Sequence, residues 1–419
     1  MKKINKIKYI AISLFLLFAT VVRAQEEMLN KYLIEAAQNN PGLKSKFGEY
    51  QAALEKVPQV GALPDPQLSF GLFIRPVETK LGPQRARISV SQMFPWFGTL
   101  EAKEDVATQM AKSKYEQFEE EKSRLFYDVK SIWYNLYFLQ KSIGITQENL
   151  TILNTFRKLA LIKVESGLAS SVDVLRVEMK LADLGNQLAL LKDNYSTVQA
   201  AFNNLLSVNT DREVSLPDSL KNIDMGMTRE AILDSIRNMN HQVLQMEFME
   251  ASYEKQQIVA DKMGKPNIML GFDYMAISKG SDQMATVSDP GKDAFVFPMV
   301  GISIPLYRKK YTAMVKEAAL MQEATENGKL NKINILETAY EKADRDYSDA
   351  DRRIPLYLGQ SDKAYQAMNI LQTEYETSGK NFEELLRMEL QLLKYKLELE
   401  KARSDKDAAI AFINYLTGK

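Results

Sequence analysis

The sequence predicts a mainly α-helical fold carrying a pair of β-hairpins suited to a membrane, assembled as an internal two-fold repeat. Three observations predict it. Residues Glu101 to Glu165 contain no proline and one glycine, Gly144, which at 1.5 Å per residue makes a helix of about 95 Å. Pro66–Ile74 and Pro266–Tyr274 alternate apolar and polar or small residues with period two, as a strand with one apolar face does. The order also recurs: Arg176-Val-Glu-Met-Lys-Leu181 is echoed by Arg387-Met-Glu-Leu-Gln-Leu392, 211 residues further on.

In chain order, residues 1–24 come first. Lys2, Lys3, Lys6 and Lys8 precede an apolar run from Tyr9 to Val22, and Val22-Arg23-Ala24 supplies small residues at −3 and −1. That pattern predicts a secretory signal peptide cleaved near Ala24, since the run is too short for a membrane anchor. The repeats then span 25–206 and 227–419, joined by the polar, Pro217-containing segment 207–226.

Each repeat begins with an interrupted helix. Glu26–Val57 breaks at Asn39-Asn40-Pro41, because proline disfavours helix in the residue before it, and Thr228–Met263 has Asn240-His241 at the same place. Hairpins follow over about 66–95 and 266–305. The second strands run into Pro95 and Pro305, and polar loops over 75–85 and 278–293 join the strands. Strands of about 9–11 residues cross a bilayer with tilt. Trp96 and Phe97 after the first hairpin and Tyr307 after the second are placed as aromatics of a membrane interface.

Long helices are expected over about 99–165 and 308–377, and shorter return helices over 171–206 and 381–416. Leu125, Val129, Ile132, Leu136, Leu139 and Ile143 step by four and three like a coiled-coil seam; Leu336, Tyr340, Ala343, Tyr347 and Ala350 do the same. Pro355 is expected to kink its helix. Between outgoing and return helices lie two tips: Gly167-Leu-Ala-Ser170, where Gly167 supplies a positive φ and Ser170 or Ser171 an N-cap, and Gly379-Lys-Asn381.

Composition narrows the chemistry. The full chain balances 54 Lys+Arg against 54 Asp+Glu, and loss of the five cations in residues 1–24 leaves 49 against 54, a net charge of −5. A mildly acidic exported protein has no electrostatic footprint for nucleic acid. No cysteine is present, so thiol catalysis, thiolate metal sites and a lipid-bearing cysteine are excluded. The single His241 cannot build a histidine metal cluster within one chain. The 19 methionines invite a copper reading, but Met225, Met227, Met239, Met246 and Met249 suit helix packing better. With no cluster of nucleophile, base and metal ligands and no phosphate-binding glycine loop, the chain is not expected to be an enzyme or to need a cofactor.

Four strands cannot close in lipid, where open edges are not tolerated, so a barrel requires several copies. Two copies would give eight strands around a filled interior, and an open pore needs three or more. Helices of about 95 Å cannot lie within a hydrocarbon core about 30 Å thick and must project from it.

The signal peptide, Asn39-Asn40-Pro41, the duplicated order of hairpin and long helix, Gly167-Leu-Ala-Ser-Ser-Val-Asp-Val-Leu-Arg176 and Tyr375-Glu-Thr-Ser-Gly379 together resemble the TolC-type outer-membrane efflux proteins. The resemblance covers nearly all of the mature chain. It implies a homotrimer in the outer membrane of a Gram-negative bacterium, a twelve-stranded outer-membrane β-barrel continued by a twelve-helix periplasmic coiled-coil tunnel. It implies an exit duct for a tripartite efflux pump, with a periplasmic adaptor and an inner-membrane pump of the RND type as partners. A type I protein secretion duct and a periplasmic adaptor-like coiled coil are the alternatives.

The resemblance also assigns sites. The tips, with Gly167, Leu168, Ala169, Ser170, Gly379, Lys380 and Asn381, would form the tunnel mouth and dock the adaptor. Acidic rings that narrow the entrance in several relatives would fall at Glu384 and, in the first tip, Asp173. Arg387 stands where a second acid is expected, so a mixed arrangement in which Arg387 or Arg176 pairs with a neighbouring carboxylate is the alternative.

Overall fold

The computed structural model describes residues 27–77, 82–221, 224–277, 294–378 and 380–419. The expected signal peptide, the 278–293 loop, residues 78–81 of the 75–85 loop and Gly379 lie outside the described residues. Eight helices are described: α1 over 27–39, α2 Pro41–Gly61, α3 Thr99–Glu165, α4 Ser171–Leu205, α5 Arg229–Met239, α6 His241–Met263, α7 Arg308–Ser378 and α8 Phe382–Leu416. The strands are β1 Gln67–Val77, β2 Gln84–Phe94, β3 Asn267–Ile277 and β4 Ala294–Ser303. The described residues divide between two compact units, one within 1–46, 118–241 and 332–419, the other within 47–117 and 242–331.

The second unit holds a four-stranded antiparallel sheet in the order β1-β2-β3-β4. The register sets Phe70 opposite Ile88, Ile88 opposite Tyr274 and Leu270 opposite Val300, so the period-two apolar residues share one face. That face is bare: Leu72 is 83% exposed, Ile74 99% and Val300 72%. On the other face lie Ser89, Gly271 and a buried Asp273, which accepts a hydrogen bond from the Arg87 guanidinium. β1 continues past the expected loop start at Arg75 to Val77, with a register shift between Leu72 and Val77. Pro76 falls within that shift, where β1 makes no ladder pair with β2.

Helix pairs complete this unit. Lys114 of α3 reaches Glu49 of α2 at 2.9 Å, and the α2 ring of Tyr50 meets Tyr115 of α3 with centroids 5.3 Å apart. Lys329 of α7 reaches Glu250 of α6 at 2.6 Å, and Gln257 donates to Gln322 at 2.7 Å.

The first unit is helical and has two apolar clusters. Leu125, Val129 and Leu136 of the expected seam are buried in one of them, around Trp133, Tyr137 and Phe202. The 207–226 segment is fastened onto that cluster: Trp133 Nε1 donates to the Ser215 carbonyl at 3.2 Å, Ser215 N–H donates to the Tyr32 hydroxyl at 2.8 Å, and Leu220 is buried. The aromatic rings fill volume while their polar tips satisfy the backbone of a segment whose described residues form no helix or strand.

The helix breaks at Asn40 and Asn240 have a structural cause beyond the local sequence. Asn40 Nδ2 donates to the Leu205 carbonyl at 3.1 Å, and Asn240 Nδ2 donates to the Leu416 carbonyl at 2.9 Å. Each asparagine leaves its helix to satisfy an orphan carbonyl at the end of α4 or α8. Those ends also close alike. Val208 N–H reaches the Asn203 carbonyl across Ser207 at φ 55°, and Lys419 N–H reaches the Asn414 carbonyl across Gly418 at φ 76°. α7 passes through Pro355 without ending.

Candidate functional site: the paired helix tips

The first tip is built by its backbone. Gly167 takes φ +74°, Leu168 N–H donates to the Lys163 carbonyl at 2.8 Å and Gly167 N–H to the Val164 carbonyl at 3.0 Å, which satisfies the last carbonyls of α3. Two residues on, Ser170 is the N-cap of α4. Its backbone is extended, and its hydroxyl accepts from Val172 N–H at 3.2 Å. Of the two expected caps the structure selects Ser170. Leu168 and Ser170 are exposed and Ala169 is half-buried.

The second tip is made differently. α7 reaches Ser378, whose hydroxyl accepts from Lys380 N–H at 3.3 Å. Asn381 heads α8 in the left-handed region at φ 65°, without a side-chain cap bond. Asparagine tolerates that conformation better than most residues. Its side chain turns back to α7, donating to Glu374 Oε1 at 2.8 Å. In place of an N-cap, Glu383 and Glu384 put negative charge into the first turn of α8, where the helix dipole favours it.

The four charged residues singled out in the sequence fall into two ion-paired groups. Arg176 lies 3.5 Å from Asp173 on its own helix and 2.9 Å from Glu383 of α8, so it bridges the two tips. Arg387 binds Glu384 one turn away and remains 71% exposed. Each carboxylate expected at the entrance thus has a cation beside it within the chain. Lys163 adds a second link between tips by donating to the Glu376 carbonyl at 2.6 Å.

Beneath these polar contacts, all four helices share the other apolar cluster. Phe156, Val174, Val177, Met368, Tyr375, Phe382 and Leu385 are buried in it, with the Tyr375 and Phe382 rings 4.7 Å apart. Burial, and secondly the charge of Asp173, push the Tyr375 hydroxyl up to about 12, and that hydroxyl has no hydrogen-bond partner. Glu383 and Lys163 escaped the sequence reading. Glu383 differs from Glu384 only in the helix face it occupies, and Lys163 acts on a backbone carbonyl, which leaves no signature in side-chain types.

Residues 33–207 match the family described as outer membrane efflux protein. That match is confined to the first half of the chain. No curated protein matches it by sequence. Solved outer-membrane channels share the fold of this chain. The outer membrane protein VceC of Vibrio cholerae superposes with a TM-score of 0.76 at 15% identity, covering 94% of this chain and 97% of that one. The CmeC outer membrane channel of Campylobacter jejuni gives 0.75 at 12% identity, over 94% and 87%. The open state of the MtrE channel of Neisseria gonorrhoeae gives 0.73 at 13% identity, over 93% and 89%.

The remaining expected site residues lie in the sheet-bearing unit. Trp96 and Phe97 meet edge to face at 5.8 Å, and Phe97 and Tyr307 are mostly exposed. The Phe97 carbonyl accepts from Lys262 Nζ at 3.2 Å, beside Gly98 at φ +71°. Among the described residues, no group of three or more His, Asp or Glu side chains is placed to hold a metal ion, and no helix is long and apolar enough to cross a membrane.

Proposed function

We propose that this chain is the outer-membrane exit duct of a tripartite efflux pump, acting as a homotrimer that passively conducts what an inner-membrane transporter expels. The observation that carries the reading is the sheet. One face is exposed and apolar, as a lipid-facing surface is, and both outer strands, β1 and β4, have an unpaired edge. Four antiparallel strands end on a strand opposite in direction to the first, so β4 of one copy can pair antiparallel with β1 of the next without breaking the alternation. Three copies then close a twelve-stranded barrel wide enough to leave a lumen.

The internal repeat belongs to the same reading. It is supported by the matched asparagine caps on Leu205 and Leu416 and by the matched left-handed closures at Ser207 and Gly418. Trp96, Phe97 and Tyr307 would sit at the periplasmic interface of the outer membrane. The tips at Gly167–Ser170 and Gly379–Asn381 would form the periplasmic mouth that meets the adaptor, with an RND-type transporter behind it. Asp173, Arg176, Glu384 and Arg387 would set the charge of that mouth as a mixed ring rather than a purely acidic one.

The absence of cysteine makes the test direct. Ser69→Cys in β1 and Ser303→Cys in β4, combined in one chain, should crosslink between copies and give dimers and trimers on a non-reducing gel of the membrane fraction. A soluble monomeric protein in the periplasmic fraction would overturn the proposal.

A further inference from the structure

One polar pair lies inside the apolar cluster under the tips. Glu389 of α8 is 1% exposed and Asn149 of α3 is 4% exposed. Asn149 Nδ2 and Glu389 Oε1 are 2.6 Å apart. The other half of each group, Glu389 Oε2 and Asn149 Oδ1, is buried with no hydrogen-bond partner among the described residues.

These two orphan atoms are complementary under one condition. A carboxylic acid and an amide form a ring of two hydrogen bonds, N–H to carbonyl oxygen one way and O–H to amide oxygen the other. An ionised carboxylate has no proton for the second bond and leaves both oxygens unsatisfied, at a cost that a dry site does not repay. The 2.6 Å separation belongs to the N–H arm of that ring. Exchanging the amide's oxygen and nitrogen leads to the same requirement, because two oxygens at that distance need a proton between them.

We propose that Glu389 binds a proton in the folded chain and, with Asn149, closes an acid–amide ring that latches α8 to α3, so that loss of the proton loosens this seam. The latch sits among rungs that join the same two antiparallel helices. Ser404 Oγ donates to the Tyr134 carbonyl at 2.9 Å, and the Tyr137 hydroxyl bonds Glu400 at 2.6 Å. Of these contacts Glu389 alone is a buried acid aimed at a neutral partner.

The charges that reach Glu389 are Lys396 on its own helix and Glu148 on α3, which form an exposed ion pair with each other at 3.7 Å. α4 contributes Val177 and Leu184 to the surrounding cluster; α7 contributes Met368 and Tyr375, the latter titrating only near 12. Burial holds the Glu389 carboxyl above its ordinary value, ahead of the opposing attraction of Lys396. A raised acid value means that the latch is complete at low pH and is lost as pH rises through the folded-state value. This inference rests on contacts within one chain and does not depend on the duct reading.

Hydrogen exchange of the α8 amides over 385–393 tests it, measured from acid to alkaline pH on the full-length protein in detergent. Comparison with Glu389→Gln at each pH cancels the intrinsic rate. Glutamine keeps the amide-type pairing at every pH. Wild-type exchange should accelerate relative to the variant by up to about tenfold for each pH unit by which burial has raised the acid. A wild-type to variant ratio that stays constant across the pH range would overturn the proposal. Should Glu389→Gln fail to fold, infrared difference spectra of wild type and Asn149→Leu decide the matter. A protonated-carboxyl band present in the wild type and shifted by Asn149→Leu supports the latch, and its absence overturns it.

Discussion

Asp407 of α8 offers a stability measurement whose sign and size follow from the structure. The residue is 4% exposed and its Oδ2 has no hydrogen-bond partner among the described residues. Its neighbour Lys406 offsets that charge only in part, because Lys406 Nζ is held by Asp351 at 2.8 Å and Asp224 at 3.1 Å. Burial therefore dominates, and the Asp407 carboxyl is pushed from 3.8 up to about 7, against a weaker opposing pull from Lys406. Between those two values the folded chain keeps a proton that the unfolded chain has lost. The stability associated with this proton is complete below 3.8, declines as pH rises, and is gone above about 7. A difference of about three units at 1.36 kcal/mol each sets a ceiling of ~4 kcal/mol. Asp407→Asn removes the titration while preserving shape. Its advantage over wild type should grow by roughly 2–3 kcal/mol between pH 5 and pH 8, read as the difference in opening free energy of α8 amides by hydrogen exchange. An advantage equal at the two pH values would refute the assignment of a neutral, buried Asp407.

Other substitutions probe the closures and the tips. Gly418→Ala places a Cβ 2.5 Å from the Met239 carbonyl oxygen at a positive φ, and should cost about 2–3 kcal/mol in thermal or chemical unfolding. Ser207→Gly relieves a left-handed serine and should stabilise by up to about 1 kcal/mol in the same assay. Asn240→Ala leaves the Leu416 carbonyl unpaired at a fully buried site and should destabilise by about 1–3 kcal/mol, more than Asn40→Ala at its less buried counterpart. Replacing Asp173 and Glu384 together with Ala should weaken cation block of single-channel current. Unchanged block would remove the carboxylates from the mouth.

Much of the fold was legible because its signals are periodic. The alternation in Pro66–Ile74 and Pro266–Tyr274 marks a face, and the register confirms that Leu68, Phe70, Leu72, Leu270 and Phe272 lie on it. Seam spacing picked out Leu125, Val129, Leu136, Leu336, Tyr340 and Ala343, all buried. What escaped is what depends on a backbone partner far along the chain. Asn40 reads locally as a helix breaker before proline, yet its amide closes α4 at Leu205, 165 residues away. Trp133 and Tyr137 stand outside the seam that the spacing picked out, yet their polar tips bond the backbone of the 207–226 segment.

The tips show the same division at a finer scale. Gly167 and Ser170 were readable because a positive φ and an N-cap are local requirements that few residue types meet. The charge pattern was not, since Asp173, Arg176, Glu383, Glu384 and Arg387 all stand at helix starts and any of their pairings suits the sequence. The structure separates them by face: Arg176 spans to Glu383 on the neighbouring helix, whereas Arg387 stays on its own helix with Glu384. The two arginines therefore differ in consequence. Arg176 and Glu383 are both substantially exposed, so their bond is worth less than about 1 kcal/mol and cannot hold the tips together alone. Cohesion must come from Phe156, Val177, Tyr375, Phe382 and Leu385 beneath it. Arg176→Ala should accordingly leave global unfolding nearly unchanged while speeding hydrogen exchange at residues 171–176 and 382–387. Phe382→Ala should cost about 3–5 kcal/mol. A larger global effect from Arg176→Ala than from Phe382→Ala would show that charge, and not the apolar cluster, joins the two tips.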